Sequence, residues 1–124
     1  MIYYKPITDR QVLRKLFPKK SIDEEDICGA YIGFDEEGND VGTCFISTDG
    51  YKCYLSDISC DLSDKLLVEG FIRAALNFGA NRNAYMAYCS QENIRDVLLM
   101  LGFEKNGEFY GGDIPTLLQG SCCK

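Results

Sequence analysis

Apolar and polar positions along this chain alternate first with a period of two and later with a period near 3.6, and the change falls at Leu66. The segment IYYKPI, residues 2–7, reads as a first strand. Thr8 offers a helix cap ahead of DRQVLRKLF, where Val12, Leu13 and Leu16 share one side at helical spacing and Pro18 marks the exit. After the polar connection SIDEED, the run ICGAYIGFD predicts a strand that ends in the turn DEEGND. VGTCFIST returns as the next strand, Asp49–Gly50 opens a second tight turn, and CYLSDIS is the third strand of an antiparallel meander.

From there Leu66, Leu67, Gly70, Phe71, Ala74, Ala75 and Phe78 recur at three and four, which predicts a helix from Lys65 to Ala80 packed on a sheet. AYMAYC is a short β-rich run, and QENIRDVLLMLG predicts a second amphipathic helix closed by Gly102. FEKNGEFYGGDI has two strand-like halves around Asn106–Gly107 and reads as a hairpin. The order predicts an α+β domain over residues 1–113: a mixed, mostly antiparallel sheet with flanking helices, in which the meander leads into a parallel fourth-to-fifth strand pair. Residues 114–124 are expected to be a tail carrying Cys122 and Cys123.

Length and charge narrow the possibilities. A chain of 124 residues with 46% hydrophobic and 26% charged residues suits one domain with one core. It has no apolar run of the roughly 20 residues a membrane span requires, and its first residues lack the pattern of a signal peptide, so a cytoplasmic protein without a membrane partner is expected. Net charge −6 and pI ≈ 4.6 disfavour nucleic acid and anionic membranes. Arg10, Arg14, Lys15, Lys19 and Lys20 form a small basic cluster, read as the solvated side of a helix and its exit.

The sequence contains no histidine. That excludes Ser–His and Cys–His nucleophile pairs and any zinc site needing imidazole, and no metal site is expected. A general base must then be a carboxylate, an amine, a phenolate or a routed water. Cys28, Cys44, Cys53, Cys60 and Cys89 lie in or beside apolar, strand-like runs, where a thiol acts as a small hydrophobe. Cys122 and Cys123 are adjacent, which suits thiol exchange or capture of a soft metal better than a structural disulfide.

FIRAALNFGANRNAYMAYC followed by LLMLGFEKNGEFY resembles the second half of the GNAT superfamily of N-acetyltransferases. With the element order, the resemblance spans roughly residues 1–113 and is strongest over 56–110. It implies an acyl-CoA N-acyltransferase fold whose sheet splays between the fourth and fifth strands. Acetyl-CoA would lie in that gap and transfer acetyl to a small-molecule or peptide amine; a homodimer is compatible with it. By the same resemblance the pantetheine arm would pair with the backbone of Ile58, Ser59 and Cys60. The pyrophosphate would lie on the turn Ser63, Asp64, Lys65, Leu66, Leu67 and Val68. Gln91 stands where an Asn usually opens the following helix, and Asp57 is the carboxylate nearest to where an amine would lose its proton.

Two departures bear on chemistry. The phosphate turn of the family needs glycine where phosphates approach the backbone, yet those two positions are Leu66 and Val68, and its Arg or Gln is Ser63. Ser63 or Asp64 can cap the helix instead, with Asp61 as a second carboxylate at its positive end and Lys65 as the nearby counter-charge. Leu98 occupies the position of the Tyr that in many members reprotonates the leaving thiolate; Tyr85, Tyr88 and Tyr110 are the other phenols of this half. Two readings follow: an N-acetyltransferase whose activity is weak or lost, and a non-catalytic binding or interaction module with a thiol-bearing or metal-capturing tail.

Overall fold

A computed structural model describes residues 1–23 and 27–120. Strand β1 (Tyr3–Ile7) leads into helix α1 (Arg10–Leu16), then β2 (Ile27–Phe34), β3 (Asp40–Asp49), β4 (Lys52–Cys60) and helix α2 (Lys65–Ala80). Strand β5 (Met86–Cys89) follows, then a 3₁₀ turn (Glu92–Ile94), α3 (Arg95–Leu101), β6 (Glu104–Asn106), β7 (Phe109–Asp113) and α4 (Ile114–Gly120). The strands form one sheet in the order β1-β2-β3-β4-β5-β7-β6. Every neighbouring pair is antiparallel except β4 and β5, which run parallel as the element order predicts. Gly50 and Gly107 hold φ of 61° and 66° in the two tight turns, left-handed values at which a side chain is strained.

The apolar pattern places α2 correctly but rotates its face. Leu67, Phe71, Ala75 and Phe78 are buried as expected, together with Val68, Ile72 and Leu76, so the buried side is wider than the stripe. Leu66 lies outside it at 80% exposure, and Ala74 is half-buried. Gly70 serves close approach: a Cβ there would run into the Tyr4 hydroxyl, which donates to the Leu67 carbonyl at 3.1 Å. This side of the sheet holds the larger core, with Cys44, Cys53 and Cys89 as small fillers.

On the opposite side, Leu13 and Phe17 of the α1 segment pack with Ile22, Cys28, Ala30 and Phe45. Val12 and Leu16, expected beside Leu13, are each 38% exposed, because a helix of two turns here rests on the single ridge formed by residues 13 and 17. Its cap is Asp9 rather than Thr8: the Asp9 carboxylate accepts from the N–H groups of Gln11 and Val12 at 2.8 and 3.3 Å. The second predicted helix opens with the 3₁₀ turn and ends at Gly102, whose φ of 109° supplies the left-handed stop. Residues 114–120, expected as the start of a tail, form α4, which buries Ile114 and Leu117 in the larger core. Cys122 and Cys123 lie outside the described residues. Among the described residues no helix is long and apolar enough to cross a membrane.

Candidate functional site

Strands β4 and β5 stay together only from the pair Lys52–Met86 to the pair Leu55–Cys89. Beyond Leu55, β4 runs on alone along this edge. A bulge helps turn it away: Phe45 pairs with Ser56 and Thr43 with Ser59, leaving Asp57 and Ile58 opposite Cys44, and Asp57 takes a left-handed φ of 54°. The sequence therefore builds a split sheet, with the stretch Ile58, Ser59 and Cys60 left without a β5 partner and facing the chain that follows β5.

That edge is engaged by a side chain. Gln91 Oε1 accepts the Ile58 N–H at 2.9 Å, and Gln91 Nε2 donates to the Ile58 carbonyl at 2.8 Å. One primary amide thus pairs with both backbone groups of one residue, as a neighbouring strand would. Nε2 also donates to Asn93 Oδ1 at 2.8 Å, which fixes the amide to the 3₁₀ turn. Ile58 is 3% exposed, so its groups lie where an unmade hydrogen bond is costly. An Asn at position 91 is one methylene shorter.

The start of α2 is closed by carboxylates. Asp64 Oδ1 accepts the Leu67 N–H at 3.1 Å, which settles the cap on Asp64 rather than Ser63. Ser63 turns instead to Asp61, whose Oδ1 accepts the Ser63 hydroxyl at 2.6 Å and the Ser63 N–H at 3.1 Å. These bonds, the hydroxyl foremost, hold the Asp61 carboxyl below the usual range and keep it charged beside the helix end. Lys65 and Leu66 are exposed. Val68, expected to stand in a phosphate turn, is fully buried in the core. Burial, and then the negative charges of Asp61 and Asp64, push the Cys60 thiol up.

Asp57 sits outside the split, in an ion pair with Lys20 at 3.1 Å. Lys20 also donates to Ser56 Oγ at 3.0 Å and lies 5.1 Å from the centre of the Phe45 ring, so it is tied to the sheet rather than simply solvated. Arg14 departs from the solvated expectation in the same way, donating from Nη2 and Nε to the Ile22 carbonyl at 2.9 and 3.2 Å.

Leu98 is fully buried in the core and offers no proton. Of the three tyrosines, Tyr110 is buried, with its hydroxyl donating to Glu92 at 3.0 and 3.2 Å. Lys105 completes that group at 2.6 Å from Glu92. Hydrogen bonding to Lys105 first and to Tyr110 second holds the Glu92 carboxyl below its ordinary value, and Glu92 raises Lys105 in turn. Pattern reasoning missed both this group and the Gln91 clamp; the single signal was Gln in place of Asn. Tyr88 is half-buried and Tyr85 is 55% exposed, both beside β7 rather than in the split.

The residues present do not fit acetyl-CoA as the resemblance places it. The Ile58 groups that would meet pantetheine are taken by Gln91, and the helix start that would meet phosphates carries Asp61 and Asp64.

No family model matches the sequence, and no curated protein does. Solved structures share the fold. One is a mutant form of the spermidine/spermine N-acetyltransferase SpeG from Vibrio cholerae, with TM-score 0.69 and 12% identity over 97% of this chain and 98% of that one. The GNAT family N-acetyltransferase YhbS from Escherichia coli, solved with CoA, has TM-score 0.62 and 13% identity over 97% of this chain and 84% of its own. A KacTA–DNA complex has TM-score 0.64 and 15% identity over the whole of both chains. The fold is that of the GNAT superfamily.

Proposed function

We propose that this GNAT-fold chain no longer carries out the superfamily's acetyl transfer from acetyl-CoA to an amine, and that the fold serves as a binding module. The observation that carries the reading is the clamp of Gln91 on Ile58. A cofactor arm that paired with β4 would first have to displace two hydrogen bonds at a buried residue. The carboxylates of Asp61 and Asp64 at the α2 start add repulsion toward a pyrophosphate. Leu98 leaves that helix position without an acid. Asp57, already paired with Lys20, is not a free base.

A catalytic reading has in its favour the likeness to N-acetyltransferases, one of them solved with CoA, and a split bridged by a side chain, which can rotate, rather than by a strand. A thiol-release assay with acetyl-CoA over polyamines and lysine peptides separates the two. The binding-module reading expects no release above background. Turnover of about 1 per second, within the usual enzyme range, would replace it with an N-acetyltransferase that opens the clamp. Net charge −6 disfavours a nucleic-acid partner in either reading, and the likeness to a chain solved in a KacTA–DNA complex is the observation that bears against that.

A further inference from the structure

Strand alternation puts a second feature on the sheet face away from α2. Tyr54 pairs with Tyr88, Tyr88 with Gly111, and Gly111 with Glu104, so these four form a row across β4, β5, β7 and β6. The Tyr54 and Tyr88 rings stack at 5.6 Å. Phe109 stands steeply to both, 6.1 Å from each ring centre and at 77° to the plane of Tyr88. Gly111 makes this possible: a Cβ there would lie 2.9 Å from the Tyr88 ring, so only glycine lets the ring lean over β7. The result is a corner of two ring planes above a glycine backbone.

Tyr88, Phe109 and Gly111 of this corner line a groove of about 510 Å³ whose walls include Tyr85 and Met86 and whose acidic rim is Glu104 and Asp113, with Tyr54 backing Tyr88 from outside it. No lysine or arginine lines it among the described residues. Bonds from the Thr116 hydroxyl and N–H keep the Asp113 carboxyl below its usual range and therefore charged. Aromatic faces present negative quadrupole, and two carboxylates add negative potential, so the groove repels anions and favours a weakly hydrated cation. A compact ammonium such as that of lysine retains its water more strongly than a methylated one.

We propose that this groove binds a small quaternary ammonium compound of the choline class. A quaternary nitrogen has no lone pair to accept an acyl group, so the proposal does not rest on N-acetyl transfer at the β4–β5 split. The test is an NMR titration of the whole protein, following the Tyr and Phe ring signals, with choline and with its neutral isostere 3,3-dimethylbutan-1-ol. Saturable shifts are expected with choline, and binding of the isostere about tenfold weaker, the difference the cation–π and carboxylate contacts supply. Phe109→Leu, at a position 37% exposed, should weaken choline at least about fivefold with the fold retained. Equal binding of the two compounds, or shifts that stay linear with added choline, would overturn the proposal without reference to any variant.

Discussion

Gln91 and Ile58, 33 residues apart in sequence, are joined by two hydrogen bonds of 2.9 and 2.8 Å that close the split between β4 and the chain after β5. Gln91→Ala should leave both Ile58 groups unpaired and lower stability by about 1–3 kcal/mol. Amide exchange at Ile58 should accelerate while that of Leu55, still in the β4–β5 ladder, stays slow. Unchanged protection at Ile58 would mean that the clamp is not occupied in solution.

At Gly70, helix propensity and packing pull in opposite directions. Alanine normally favours a helix interior over glycine by about 1 kcal/mol. In this fold its Cβ would collide with the Tyr4 ring and hydroxyl, and Tyr4 is braced against Phe71 at 4.9 Å. Overpacking of that kind costs about 1–3 kcal/mol, so Gly70→Ala should destabilise. Thermal or denaturant melting reads the sign, and a raised midpoint would contradict the packing described.

Alkali should unfold the protein through its buried thiols. Burial pushes Cys44 and Cys53 up to about 12 from an ordinary 9.0, and Tyr4 up to about 12 from 10.0. The unfolded chain releases these protons near the ordinary values, whereas the folded chain keeps them to about 12. Stability is therefore fully present below about pH 9 and falls as pH rises through that window. Cys53→Ala should flatten the loss between pH 9 and 12 in equilibrium unfolding; an unchanged slope would show that the thiol is not the cause.

Much of the fold was legible because it rests on local periodicity. The α2 bounds follow from the 3.6-residue stripe, and the turns follow from Asp49–Gly50 and Asn106–Gly107. The rotation of α2 that exposes Leu66 was not legible, since Leu66 and Val68 are equally apolar and only the sheet decides which is buried. Helix α4 escaped because a seven-residue helix holding proline and glycine has a weak periodic signal. At the split, the capping carboxylates could be read from the order Asp61, Ser63, Asp64. The Gln91 clamp could not, because it depends on a bulge that sets the direction of Ile58.

Restoring one part of a phosphate seat should not restore binding. Leu66→Gly touches an exposed side chain and loosens the helix start by about 1 kcal/mol, while both carboxylates remain. Val68→Gly would open a cavity in the core instead. Asp61→Asn with Asp64→Gly should improve CoA affinity more than Leu66→Gly, by removing charge at the positive helix end.

The most direct measurement is calorimetric titration of CoA into the wild-type protein and into Gln91→Ala combined with Asp61→Asn and Asp64→Gly. With the clamp and both carboxylates in place, the wild type should bind with a Kd no tighter than about 1 mM, and the triple variant should bind measurably more tightly. Micromolar binding by the wild type would contradict the account, because the split would then hold the cofactor despite Gln91, Asp61 and Asp64.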